Sequence, residues 1–189
     1  GRGRVDQRQA KDIVRRILEG DTNAYALLVD AYKNPIVQLA YRMTGSLADA
    51  DDLAQDAFIR AFRNLHRYDR ERPFFTWLYT VALNGIRNHL KKKQREETRL
   101  VDSDWTDIGG GDDTPGMEER MDDARAAQML EHALDRLPEE QREALILRYY
   151  LGLSLEETSD VMGISLSAAK MRIYRGLERL KQHLSRRQP

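Results

Sequence analysis

The sequence predicts an all-α protein made of two helical domains joined by a flexible acidic linker, and three observations carry that expectation. Apolar residues recur at spacings of three and four along most of the 189 residues, and no alternating run is long enough for a convincing strand. Near the middle, Gly109-Gly110-Gly111-Asp112-Asp113-Thr114-Pro115-Gly116 concentrates chain breakers and like charges, a composition that buries too little to order itself. The charge is also segregated, although the formal net charge is +0. Residues 60–99 carry eleven Lys and Arg against four acidic residues, and residues 165–189 carry seven against Glu178 alone. Between them, residues 100–124 hold nine Asp and Glu against Arg120. Two basic blocks flanking an acidic one point to a polyanionic partner. The expected division is a first domain at 5–97, a linker at 98–118 and a second domain at 119–186.

The elements follow in order. Residues 6–19 read as a helix with Ile13, Ile17 and Leu18 on one side and Gly20 after it. Asp21 is a candidate cap for a second helix with Tyr25, Leu28, Val29 and Tyr32 in step. Asn34-Pro35 predicts a break, and Ile36, Leu39, Ala40 and Met43 a third helix that Gly45 ends. From Ser46 to Tyr68, Ala50, Leu53, Ala54, Ala57, Phe58, Ala61, Phe62 and Leu65 form a core stripe. The opposite face carries Asp52, Gln55, Asp56, Ile59 and Arg63; Ile59 is an apolar residue among charges, as on a binding face. Tyr68–Phe75 reads as a loop, and helix resumes from Thr76 to about Gln94 with Phe75, Leu78, Ala82, Ile86 and Leu90 inward. Thr76, Thr80, Asn84, Arg87, Asn88 and Lys91 line another of its faces.

After the linker, helices are expected at Glu118–Arg136 and from Pro138 through Tyr150. Ser154 with Glu157 three residues on is a capping box, opening a short helix to about Met162. Gly163-Ile164-Ser165 turns the chain into a last helix at 166–184. A short helix, a glycine turn and a second helix with a basic face is the helix-turn-helix order. An ordinary helical hairpin shares the pattern. The single sign of charge on the second helix and the small Ala168 near its start favour DNA. Leu155, Val161, Ile164, Ala169, Ile173 and Leu177 would be its core, with Ala168, Lys170, Met171, Arg172, Arg175 and Arg179 outside.

Several function classes are excluded or disfavoured. There is no Cys, so disulfides and cysteine metal sites are impossible. No apolar run approaches the roughly 20 residues of a membrane span and no signal peptide opens the chain, so a cytoplasmic protein is expected. Asp49, Asp51, Asp52 and Asp56 are the nearest thing to a metal cluster, and His66, His89, His132 and His183 are dispersed. No zinc-protease, phosphate-loop or nucleophile motif accompanies them, so neither catalysis, metal nor cofactor is expected. Cations among aromatic rings suit nucleic acid: charges hold phosphates, and rings stack on bases that have left the duplex.

The motifs together resemble the extracytoplasmic-function sigma factors of bacterial RNA polymerase. Ala48-Asp49-Ala50-Asp51-Asp52-Leu53-Ala54-Gln55-Asp56-Ala57-Phe58 is similar to the family's polymerase-binding segment. Phe75-Thr76-Trp77-Leu78-Tyr79 with Asn84 resembles its −10 recognition helix. Leu137-Pro138-Glu139, Leu153-Ser154-Leu155-Glu156-Glu157 and Gly163-Ile164-Ser165 with Lys170, Arg172 and Arg175 resemble its fourth region. Ser167-Ala168-Ala169 departs from the Gly-Thr-Val of many members and leaves the −35 sequence open.

The resemblance implies that Asp52, Gln55, Asp56, Ile59 and Arg63 meet the polymerase β′ clamp, with the β flap a further contact. It implies −10 contacts from Tyr68, Phe74, Phe75, Thr76, Trp77, Thr80, Asn84, Arg87, Asn88 and Lys91, the loop Asn64–Phe75 trapping a base flipped from the melted strand. Trp77 and Phe75 fit a core position equally well. It implies −35 contacts from Ser165, Ser167, Ala168, Lys170, Met171, Arg172 and Arg175, directed to phosphates or guanine edges. An anti-sigma factor is the implied inhibitor. The linker's carboxylates either follow the polymerase's RNA path or serve as a solubilising tether. The alternative is a conventional helix-turn-helix regulator acting without polymerase. It needs a dimer interface for which no spare apolar stripe is visible, and it leaves the aromatic stretch unexplained.

Overall fold

The computed structural model describes residues 5–101 and 118–185, and helices are the only regular elements among them. Most of the expected linker, 102–117, lies outside the described residues, as do both chain ends. Helix α1 (Gln7–Leu18) opens with a capping box in which the Asp6 carboxylate accepts from the Gln9 amide at 2.8 Å, and it buries Ala10, Ile13, Val14 and Ile17. Helix α2 (Tyr25–Thr44) follows a single 3-10 turn. Helix α3 (Leu47–Arg63) is capped by the Ser46 hydroxyl, and another 3-10 turn (Leu65–Arg67) leads to the loop before α4 (Phe74–Val101). The second unit holds α5 (Glu118–Asp135), α6 (Glu139–Leu145), α7 (Leu155–Met162) and α8 (Leu166–Ser185).

Three helices differ from expectation. The break at Pro35 is absent, and α2 runs through it. Proline inside a helix forfeits one backbone bond and costs about 3 kcal/mol. Leu28 and Tyr32 before it and Ile36, Leu39, Ala40 and Met43 after it form one buried stripe, and their packing offsets that cost. The helix from Pro138 to Tyr150 ends as α6 at Leu145 and passes into a π turn (Ile146–Tyr150), in which the Leu151 amide returns to the Ile146 carbonyl at 2.9 Å. Arg148 closes the turn by donating to the Leu153 carbonyl, and Tyr149 and Tyr150 are left exposed. Finally, α4 is 28 residues long and extends past both the expected end near Gln94 and the expected domain edge at 97.

One connected core runs through both units: α1–α4 gather around Leu28, Tyr32, Ile36, Ala54, Phe58, Phe74, Leu78 and Ile86, and Leu145, Leu147, Leu153, Val161 and Ile173 continue it in the second, where Ala169 is also buried. Phe62 and Leu177, expected inside, are 41% and 39% exposed. Gly176 lets α8 approach α6 closely, since a Cβ there would lie 3.1 Å from the Leu145 side chain. The two units pack on one another, α7 against α4 and α6 with its π turn against α2.

Ser154 and Glu157 exchange both bonds of their capping box, at 3.1 and 2.7 Å. Ser154→Ala is therefore expected to destabilise the second unit by about 1 kcal/mol, measured by denaturant unfolding, while Ser154→Asp, which can accept the same bond, should keep most of the parent's stability.

Candidate nucleic-acid interface

The loop between the 3-10 turn and α4 is held from both sides. Its rings form a cluster: Phe74 lies 5.7 Å from Tyr32, 5.3 Å from Tyr68 and 5.7 Å from Trp77, centroid to centroid. Tyr68 and Phe74 are buried in that cluster, as is Thr76, while Phe75 and Trp77 are half-buried. Burial pushes the Tyr68 phenol up, and its hydroxyl donates to the Arg72 carbonyl at 2.6 Å. Opposite, the Gln7 side chain donates to the same carbonyl at 2.8 Å and accepts from the Phe74 amide at 3.2 Å. The Gln7 amide thus spans Pro73 and ties α1 to the loop. Sequence reasoning missed Gln7, because its partners lie 65 and 67 residues away and no local pattern marks them.

Along α4, Thr80 is half-buried with its hydroxyl bonded to the Thr76 carbonyl, whereas Asn84, Asn88 and Lys91 are exposed. Steps of four, four and three put Thr80, Asn84, Asn88 and Lys91 on one face. Arg87, expected on that same face, is instead turned toward the second unit. Its Nε and Nη2 donate to the two oxygens of Glu143 at 2.8 and 2.7 Å. Glu143 is 1% exposed, which makes it the deepest carboxylate among the described residues. Burial and the Glu143 charge push the neighbouring Glu139 carboxyl up. Between the same two units, the Arg42 guanidinium sits 3.5 Å over the Tyr150 ring, and Tyr150 donates to the Gln38 side chain at 3.1 Å.

On α3, Asp52, Gln55 and Arg63 are exposed, Ile59 is 42% exposed and Asp56 is half-buried and paired with Arg60 at 2.7 Å. Ile59 and Phe62 border a cleft against α2, floored by Tyr25, Val29 and Phe58. Tyr25 donates to the Phe58 carbonyl at 2.7 Å and meets the Phe62 ring edge-on at 4.9 Å, which explains why Phe62 stays at the surface. A second apolar groove, of about 320 Å³, lies between α5, the π turn and α8 of the other unit, bordered by Leu130, Leu134, Tyr149 and Leu177 with Arg42 of α2 at its edge.

At the helix-turn-helix, Gly163 takes φ +67° to end α7, a conformation that L side chains rarely adopt. The Ser165 hydroxyl caps α8 by accepting from the Ala168 amide at 3.2 Å and lies 3.1 Å from the Ser167 hydroxyl. Ser165, Ser167, Lys170, Met171 and Arg175 are exposed and Ala168 is half-buried, a continuous patch at the start of the helix. Arg172 is drawn back onto Glu140 of α6 at 3.0 Å.

Gln7→Ala is expected to speed hydrogen exchange at the Phe74 amide markedly while lowering global stability by only about 1 kcal/mol. Unchanged exchange would mean that Tyr68 alone holds the loop.

Among the described residues no group of side chains is arranged to hold a metal ion, and no helix is long and apolar enough to cross a membrane. Comparison with known proteins finds the Sigma-70 region 2 family over residues 28–96 and the Sigma-70 region 4 family over residues 127–180. The ECF RNA polymerase sigma factor SigW of Bacillus subtilis is 32% identical over 179 residues, covering 92% of this chain and 96% of its own. The RNA polymerase sigma-H factor of Pseudomonas aeruginosa is 34% identical over 188 residues, 95% and 96% of the two chains. Among solved structures, CnrH in complex with the cytosolic domain of CnrY superposes with a TM-score of 0.68 at 25% identity, over 94% of this chain and 98% of that one. The conventional helix-turn-helix regulator is not favoured, because the region 2 match covers the aromatic and basic stretch which that reading left unexplained. With both regions present in order and relatives matching almost end to end, the chain belongs to the extracytoplasmic-function sigma factors of the sigma-70 family, the promoter-directing subunits of RNA polymerase.

Proposed function

We propose that this sigma factor divides promoter recognition between α4 and α8 and docks on core polymerase through α3. The observation that carries this reading is the pairing, in one chain, of two polar rows on separate units, both exposed but for the half-buried Thr80. One is the neutral row Thr80, Asn84 and Asn88, which turns cationic at Lys91; the other is Ser165, Ser167, Lys170, Met171 and Arg175 at the start of α8. Amide side chains present a donor and an acceptor to a base edge, and cations farther along hold the backbone.

In this reading the loop Asn64–Phe75 receives a −10 base flipped from the melted strand. Tyr68 and Phe74 shape that loop from beneath, and Trp77 and Phe75 at its margin offer ring surface. Flipping costs a few kcal/mol, which stacking worth about 1–3 kcal/mol per base and edge hydrogen bonds offset. Thr76, buried under the row, positions the helix rather than meeting a base. On the second unit, Ala168 leaves room for close approach, and Lys170, Arg172 and Arg175 contact −35 phosphates or guanine edges.

The face with Asp52, Gln55, Asp56, Ile59 and Arg63 meets the β′ clamp, where carboxylates and one apolar anchor suit a basic surface with an apolar recess. The groove beside Leu130, Tyr149 and Leu177 takes an apolar segment of the β flap. Both surfaces also suit an anti-sigma factor that excludes polymerase by covering them, and the chain acts in the cytoplasm at the nucleoid rather than as an enzyme.

Run-off transcription with bacterial core polymerase over a genomic fragment library tests the whole reading. New start sites should appear only when the protein is present, and none would overturn it. Asp56→Arg is expected to weaken core affinity about tenfold or more, equivalent to about 1.4 kcal/mol, with helicity unchanged. Undiminished affinity would remove α3 from the docking face. Arg175→Ala is expected to weaken promoter binding and reduce its salt slope by about 0.9, the signature of one lost phosphate contact.

A further inference from the structure

Two of the arginines assigned above to promoter DNA are already occupied, and both are held by the same short helix. Glu140 and Glu143 lie three residues apart on α6 and so share a face. Glu143 takes Arg87 of α4 in a two-pronged pair at 2.8 and 2.7 Å, and Glu140 takes Arg172 of α8 at 3.0 Å. A carboxylate and a phosphodiester present the same chemistry to a guanidinium: two anionic oxygens that accept parallel N–H bonds. The fork of Arg87 fits one such anion at a time. While Glu143 holds it, no DNA phosphate can.

We infer that α6 is an internal stand-in for the DNA backbone, latching the second unit onto the −10 helix so that the free sigma factor masks part of its own promoter surface. The inference rests on the reading of α4 and α8 as the DNA-reading helices. Its geometry is independent of that reading. Arg87 and Glu143 belong to different units, and the Arg42–Tyr150–Gln38 contacts join the same two units. Glu143 has almost no water in the closed form, yet it regains water when the units part, so the contact is dissociable where an ion pair inside one core would not be. Screening by salt acts weakly on such a buried pair, so a polyanion or core polymerase, rather than ionic strength, is what opens it.

The latch is tested on the full-length chain, whose lack of cysteine allows two reporters at Arg8→Cys on α1 and Gln182→Cys on α8. Distance distributions between the two labels should show one compact population in the parent. Glu143→Gln and Arg87→Gln should each shift it to longer, broader distances. Glu143→Gln should also raise the affinity of the free protein for a −10/−35 promoter fragment about fivefold or more, while Arg87→Gln should open the chain without that gain. Arg87→Glu combined with Glu143→Arg should restore the compact distance and keep DNA binding weak, which a folding defect would not reproduce. Glu140→Gln should leave the distance unchanged, because its pair lies within one unit.

Unchanged distances in both single variants would overturn the latch, as would opening by Glu143→Gln with no gain in DNA affinity. Failure of the promoter-recognition reading would show separately, as absence of promoter-directed transcription by the parent with core polymerase whatever the label distances.

Discussion

Helix α4 is the element on which the rest depends, because it packs against the first unit's helices on one side and meets the second unit through α7 and the Arg87–Glu143 pair. At its start, Phe74 sits among the rings of Tyr32, Tyr68 and Trp77, and Leu78, Leu83 and Ile86 continue the buried side. Burying a side chain of that size contributes about 1.5–3 kcal/mol each, far more than the intrinsic helix tendency of so charged a segment. That packing decides where α4 begins, and with it where the loop before it must hang. The proposed reading row is therefore presented by a helix whose opposite side is fixed, which is what base discrimination by Asn84 would require.

Electrostatics then sets how the units relate. A chain of net charge +0 with two basic blocks must put its carboxylates somewhere, and α6 sets two of them, Glu143 and Glu140, on Arg87 of α4 and Arg172 of α8. The Arg87–Glu143 pair adds little net stability compared with an apolar contact of the same size, but breaking it by deleting one partner costs about 3–5 kcal/mol. Such a contact specifies one docking geometry more than it strengthens it. The guanidinium of Arg42 stacked on Tyr150 behaves similarly: it is directional, it is partly wet, and it lies between units rather than inside one.

The architecture suits a factor that must read duplex and melted strand at once. Duplex reading asks for a helix whose exposed start enters the major groove, and in the proposed reading that helix is α8, behind the Gly163 turn. Strand capture asks for a loop with ring surface beside a polar helix, the part proposed for the Gln7-braced loop and α4. Two separable units reach two DNA elements only if they can move apart, so contacts between them are the natural place for control.

Much of this was determined by the sequence itself. Helix class, the caps at Ser46 and Ser154, the glycine ends at Gly45 and Gly163, the exposed Ile59 and the helix-turn-helix all follow from interactions within about four residues, which spacing alone records. The aromatic and basic motifs carried the family for the same reason. Tertiary structure decided the rest. Whether Pro35 breaks α2 depended on a buried stripe spanning it, and whether Phe62 or Phe74 goes inside depended on which ring it met. Gln7 finds the loop, and Arg87 finds Glu143, across 65 and 56 residues of chain. No local pattern encodes a partner at that distance, because the packing of whole helices brings it there.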